Sequence, residues 1–154
     1  MAKNTVNIQN KKARFNFELL EKYDAGIVLA GTEIKSIREG KASIAESFCE
    51  FNEKGELFVI NMTIQEYSHG NYFNHNPKNS RKLLLQKNEL RKLHKKVKNT
   101  GLTIVPLRVY LNDRGLAKMK ISLAKGKKLH DKRQTLKERE TKRKLDQVKK
   151  TFNN

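Results

Sequence analysis

Nowhere does this chain carry the ~20 consecutive apolar residues that cross a bilayer. Its opening, MAKNTVNIQNKKARF, also lacks the apolar stretch of a secretory signal. The single cysteine, Cys49, has no partner for an internal disulfide, which fits a reducing compartment, and its expected role is that of a small, partly buried strand residue. Catalytic motifs are missing too. There is no glycine-rich phosphate loop, nucleophile elbow or HExxH, and His69, His75, His94 and His130 stand at spacings unlike those of a zinc site. RNA cleavage by His130 or His75 has little behind it: adjacent residues such as His130 and Asp131 do not face each other on a helix. Acids are scarce, 16 against 34 lysines and arginines. These absences argue against a membrane protein, a disulfide scaffold and an enzyme. The expectation is a cytoplasmic protein that is not an enzyme and uses no cofactor or metal.

What the chain has in excess is positive charge. The formal net charge is +18, with a pI near 10.1, and a field of that size draws polyanions, nucleic acid first. Its 154 residues suit one ordinary domain. Only 36% are hydrophobic, so a compact core is expected for part of the chain alone.

Apolar patterning runs from Ala13 to about Ala124 and then stops. Period-two alternation predicts a strand over Arg14–Leu20, and the apolar run Gly26–Ala30 predicts a buried one. In GTEIKSIREG, Thr32 is placed to cap a short helix with Ile34 and Ile37 inward and Lys35 and Arg38 outward. Glu33, a carboxylate amid positive charge, suits hydrogen bonds from base edges or ribose hydroxyls. Phe48–Phe51 and Leu57–Ile60 flank NEKG as a hairpin. Residues 68–80, rich in asparagine, read as an exposed loop, with Tyr67, Tyr72 and Phe73 in or beside it as stacking surfaces for unpaired bases or as core fillers. Leu90, Leu93 and Val97 predict a helix that starts at Asn88 and ends at Gly101.

A second hairpin, around NDRG, sets Val105, Leu107, Val109 and Leu111 on one face and pairs that strand with Ala117–Leu123. Lys118 and Lys120 lie outward, and Pro106 marks an edge or a bulge. Several short antiparallel strands with short helices predict a small barrel or sandwich, and an OB-like barrel fits. The divisions expected are a flexible N-terminus over 1–12, a barrel over 13–126 and a basic tail over 127–154.

That tail has no hydrophobic face. Residues 125–150 carry twelve Lys/Arg against four acids, so about a sixth of the length holds nearly half the excess charge. Helix propensity there is high, yet Leu129 and Leu136 fall on a different face from Leu145 and Val148. Such a segment is marginal alone and is expected to order when phosphates neutralise it.

Four stretches, AGIVLAGTEIKSIREGKASIAESF, GNYFNHNPKNSRKLLLQKNE, LTIVPLRVYLNDRGLAKMKISLAKGKKLHDKR and the basic tail, resemble the bacterial small protein B family in order and length. The resemblance implies a mainly β fold with short helices: an OB-like antiparallel barrel, and a tail disordered when free and helical on the ribosome. It implies binding to the tRNA-like domain of transfer-messenger RNA (tmRNA), in place of the anticodon arm that RNA lacks. Delivery with elongation factor Tu and GTP to stalled ribosomes follows, with no part for DNA or membrane. It further implies RNA contacts by Glu33, Lys35, Arg38, Arg81, Lys82, Lys118, Lys120, Lys125, Lys127 and Lys128, with Leu83–Leu85 kept for packing. His130, Asp131, Lys132, Arg133, Lys137, Arg139, Lys142 and Arg143 are implied at the 16S rRNA decoding centre and mRNA channel. A helix of the ~20 residues after Asp131 would span about 30 Å. Gln86 departs from the histidine common after KLLL in relatives. The other reading is a structural ribosomal or general RNA-binding protein.

Overall fold

The computed structural model describes residues 6–69, 74–98 and 101–127. Their elements run β1 (Asn7–Gln9), α1 (Ala13–Asn16), β2 (Phe17–Ile27), α2 (Gly31–Arg38), β3 (Ala42–Ser43), β4 (Phe48–Phe51), β5 (Leu57–Ile60), β6 (Thr63–Ile64), β7 (Arg81–Leu84), α3 (Lys87–Val97), β8 (Leu102–Leu111) and β9 (Ala117–Gly126). Pairing passes from β8 through β4, β5, β7, β2 and β9 and back to β8, every ladder antiparallel, so six strands close on themselves. Closure removes the open edges that invite aggregation. The result is an OB-like barrel, with β3 and β6 paired apart from it.

Several boundaries differ from the sequence reading. Residues 7–9 are not a loose end: β1 lies antiparallel along the second half of β8. Arg14–Asn16 belong to a helical turn, and the two strands expected over 14–20 and 26–30 are one strand, β2, with Val28 half exposed beyond its end. The N-cap of α2 is Ala30 rather than Thr32, and α3 starts after Gln86 rather than at Asn88. At both starts a glutamate three residues on turns back to the cap's N–H, Glu33 at 2.9 Å and Glu89 at 3.3 Å. Val97 ends α3, and Gly101 opens the turn into β8.

Two β-bulges decide what each strand buries. Opposite β9 the register slips between Leu19 and Glu21 of β2, and again between Pro106 and Arg108 of β8. A one-residue slip moves following side chains to the other face. Ile104, Val109 and Leu111 therefore point into the main core, whereas Val105 and Leu107 pack outside it with Ala13, Phe17, Leu19 and Ala124. The expected single face 105–107–109–111 is broken at Pro106. β9 has no such break inside the barrel, and Ala117, Met119, Ile121 and Leu123 line the core in strict alternation. Lys118 and Lys120 are thereby forced outward. Ile37 of α2 and Leu93 of α3 are fully buried in the same core.

The hairpins share one turn design. Asn52 Oδ1 accepts from Lys54 and Glu56 N–H at 3.1 and 2.8 Å, and Asn112 Oδ1 from Arg114 and Leu116 N–H at 3.0 and 2.9 Å. The fourth residue is glycine each time, at φ +77° and +78°, where a side chain would be strained.

Candidate nucleic-acid interface

The two expected RNA contacts of opposite charge are not on the surface. Glu33 is 6% exposed and Arg81 3%, and they form an ion pair through Arg81 Nε and Glu33 Oε2. The other carboxylate oxygen accepts from Ala30 N–H. The guanidinium donates further to the carbonyls of Met62 (2.8 Å), Asn79 (2.9 Å), Pro77 (3.1 Å) and Asn76 (3.2 Å). Arg81 is thus the internal tie of the loop before β7, and Glu33 fixes that tie to α2. The sequence reading set both at the RNA surface, and the structure buries both side chains. A buried guanidinium is tolerable only when its donors are satisfied this fully.

The same loop is pinned twice more. Asn74 brackets Tyr67, accepting from its N–H (3.2 Å) and donating to its carbonyl (2.9 Å). His75 Nε2 lies 2.9 Å from the Ile64 carbonyl and Nδ1 2.8 Å from Thr32 Oγ1. A carbonyl only accepts, so Nε2 carries the proton and both ring nitrogens are used within the protein. Among the described residues no group of His, Cys, Asp and Glu is placed to hold a metal. Exposed Lys35 lies over the Tyr67 ring, 5.5 Å from its centroid, and His69 meets that ring edge-on. Tyr72 and Phe73 lie outside the described residues.

The outward face of the barrel is where cations collect. One cross-strand row reads Asn7, Tyr110, Lys118, Gly26, Leu84, and the next Gln9, Arg108, Lys120, Asp24. Arg108 stacks on Tyr110, 4.6 Å from the ring centroid, while the Tyr110 hydroxyl donates to Asp24 at 2.9 Å. Burial first, then that carboxylate, raises the Tyr110 pKa, so the phenol stays a neutral donor. Lys82 is half buried on β7 and pairs with Glu56 at 2.6 Å, which holds the Glu56 carboxyl below its ordinary value.

At one end of this face is an apolar groove of about 450 Å³, with Gly26, Leu84 and Leu116 in its lining and Arg38 and Lys118 as its cations. Gly26 makes the floor: a Cβ there would stand 3.5 Å from Leu84 Cβ and 3.8 Å from Lys118 Nζ. Leu84 is 51% exposed, so it does not serve packing as expected. The signal was present in the sequence. A strand that buries Leu83 must turn Leu84 outward, whatever the hydropathy of the RKLLL run.

An outward face of arginine, lysine and tyrosine beside an apolar slot suits a polyanion with flat bases. The SmpB protein family model matches residues 7–151, nearly the whole chain. The chain belongs to the SmpB family. It is 69% identical over 150 residues to the SsrA-binding protein of Christiangramia forsetii, covering 97% of this chain and 95% of that one. The SsrA-binding proteins of Flavobacterium johnsoniae (62% over 149 residues; 97% and 98% covered) and Rhizobium etli (55% over 137; 89% and 86%) are similar as well. A chain in the solved structure called "tmRNA-SmpB: a journey to the center of the bacterial ribosome" superposes with a TM-score of 0.68 at 50% identity, over 81% of this chain and 87% of that one.

Within this SmpB-family barrel the remaining expected contacts are spread out. Lys35 and Arg38 are exposed on α2, Lys118 and Lys120 are half buried on β9, and Lys125 is exposed at its end. Lys127 N–H closes onto the Asn16 carbonyl at 3.0 Å. Lys128, His130, Asp131, Lys132, Arg133, Lys137, Arg139, Lys142 and Arg143 lie outside the described residues. Sequence reasoning missed Gly26, Leu84 and Arg108, because only pairing register brings them beside Lys118 and Lys120. No helix among the described residues is long and apolar enough to cross a membrane.

Proposed function

We propose that this chain binds tmRNA and serves trans-translation, the rescue of ribosomes stalled without downstream mRNA. The observation that carries the proposal is SmpB-family membership over nearly the whole chain, joined to an outward barrel face that collects cations around an apolar slot. The barrel grips the tRNA-like domain through Lys35, Arg38, Lys118 and Lys120, with Lys82, Lys125, Lys127 and Lys128 adding charge, and takes the place of the missing anticodon arm. Structured RNA is read largely by shape and backbone, which a positive, relief-bearing barrel suits. Glu33 and Arg81 act from within, holding α2 and the loop before β7 in register for that face.

The protein acts by binding, in the cytoplasm, and reaches the ribosomal A site with elongation factor Tu–GTP on the RNA. There the tail, from His130 and Asp131 through Lys132, Arg133, Lys137, Arg139, Lys142 and Arg143, probes the empty mRNA channel. Its twelve basic residues over 125–150 and lack of an apolar face favour order against rRNA phosphates over order against protein. Deleting residues 131–154 is expected to spare tmRNA binding in a filter assay and to abolish peptide tagging on stalled ribosomes. Normal tagging by the truncated chain would sink the tail's role. Gly26→Val, which fills the slot and removes no charge, is expected to weaken binding to the tRNA-like domain; unchanged affinity removes the slot from the site.

A further inference from the structure

The β4–β5 hairpin inverts the charge of the chain. Residues 46–56 hold four acids, Glu46, Glu50, Glu53 and Glu56, against one lysine, Lys54, where the whole chain carries 34 bases to 16 acids. Strand alternation decides what this hairpin shows. Cys49, Leu57, Val59 and Leu83 are buried, so Phe48, Glu50, Phe58, Ile60 and Lys82 turn outward. Register sets Phe48 across from Ile60, and puts Glu50, Phe58 and Lys82 in one row. Val28, whose N–H donates to the Lys82 carbonyl at 2.9 Å, extends that row past the end of β2. Phe48 is 40% exposed and Val28 50%, with Phe58 and Ile60 half buried.

This patch differs in kind from the face that collects cations. Lys82, the one base in its rows, is matched by Glu56 at 2.6 Å, and Lys12, at the Phe48 end, by Glu46 at 3.3 Å. Lys54 lines a separate groove with Lys87 and Arg91 of α3. Glu50 and Glu53 have no ion pair among the described residues. The charge left over is negative, so phosphates are repelled where two phenylalanines face outward. Aromatic side chains at the centre with charges at the rim are the anatomy of a protein–protein contact. The patch is also set apart in space. In the closed ring β8–β4–β5–β7–β2–β9, β5 stands three strands from β9 in either direction, opposite the strand that carries Lys118 and Lys120.

We infer that the outward face of β4 and β5 docks a protein rather than RNA: a lysine- or arginine-rich segment with apolar side chains, as presented by a ribosomal protein. Proteins that bind rRNA are themselves basic, so such segments are at hand wherever this chain meets a ribosome. The partner's apolar groups cover Phe48, Phe58, Ile60 and Val28, and its cations meet Glu50 and Glu53. The inference rests on the ribosome-rescue reading and adds a protein contact to it. A barrel built this way holds RNA on one side and a protein on the other, and the sign of the charge keeps the two apart.

The test puts the photo-crosslinking residue p-benzoylphenylalanine in place of Phe48 in the full-length chain, which is then irradiated with a tmRNA transcript and purified stalled ribosomes. The expected product is a covalent adduct with a basic ribosomal protein, identified by mass spectrometry. Adducts confined to RNA, to the chain's own residues or to a second copy overturn the inference, as does the absence of any adduct on ribosome-bound chain. Glu50→Lys then reads the sign of the partner's charge. Against a basic protein it should lower the adduct yield roughly tenfold, because it sets like charges together. Against RNA it would raise the yield, and a rise or no change overturns the inference. Glu50 is exposed and outside any ion pair among the described residues, so this variant should melt like wild type by circular dichroism. Yields are compared at equal ribosome occupancy. A wild-type chain that fails to carry the transcript onto ribosomes overturns the underlying reading instead.

Discussion

Arg81 is where the burial of a charge turns into a measurable quantity. If it touched RNA from an exposed position, its replacement would leave stability within about 0.5 kcal/mol of wild type and act on affinity alone. The structure buries it against Glu33, with four loop carbonyls on its remaining donors. Arg81→Met leaves the Glu33 carboxylate buried without its counter-charge and removes the donor from the Met62 carbonyl. Breaking one side of such a pair costs about 3–5 kcal/mol, a large share of the ~5–15 kcal/mol that holds a domain of this size. The expected fall in melting temperature is roughly 10–20 °C. Glu33→Gln keeps an oxygen for Ala30 N–H but strands the guanidinium, and belongs in the same range. Because each single change is dominated by the charge it orphans, the double variant should cost less than the two added together. A coupling of about 1–3 kcal/mol is expected from a urea-denaturation cycle followed by circular dichroism. Single variants that melt like wild type, or a strictly additive double, would refute the buried-clamp reasoning and return both residues to the RNA-facing surface.

Three further expectations follow from local chemistry. Cys49 is the chain's one cysteine, and burial pushes its thiol well up from the ordinary value. Alkylation at pH 8 should therefore proceed only through unfolding and slow as stability rises, and rapid labelling of folded protein would contradict its place in the core. The Tyr23 phenol is pushed up to about 12, first by burial and then by its hydrogen bond to Glu21. An unfolded tyrosine ionises near 10, so the folded chain retains a proton that the unfolded chain gives up, and stability should fall as pH rises between these values. Alkaline titration of phenolate absorbance on Tyr23→Phe against wild type reads this, and no difference in the upper part of the curve would remove the shift. Gly55 sits at φ +77° with nothing within 4 Å of where a Cβ would be. Gly55→Ala should cost about 1–2 kcal/mol and Gly55→Asn less, since asparagine tolerates the left-handed region, and equal costs would point to something other than backbone strain.

Local rules made much of the barrel legible. The Asn-x-x-Gly turns announced both hairpins, and the alternation of Ala117, Met119, Ile121 and Leu123 put Lys118 and Lys120 outside. What local rules could not supply were slips of register. Val105 and Leu107 read as part of one face with Val109 and Leu111, and the bulge at Pro106 separated them. Leu84 read as core because three leucines in a row outweighed the strand's alternation. Glu33 and Arg81 read as surface because each is charged and lies in a polar stretch. Forty-eight residues apart, nothing local marks them as partners.

The sequence by itself determined the family and an attraction to polyanions: a net charge of +18, a wealth of lysine in the tail, and motifs in a set order along the chain. Charge adds up whatever the fold, so composition alone predicts attraction to a polyanion. Only the tertiary structure decided which charges face outward and which are consumed inside. Antiparallel pairing brings Gly26, Leu84, Arg108, Lys118 and Lys120 onto one face from four strands. A side chain's role depends on what stands across from it, and in a barrel its neighbour across the ladder is rarely its neighbour along the chain.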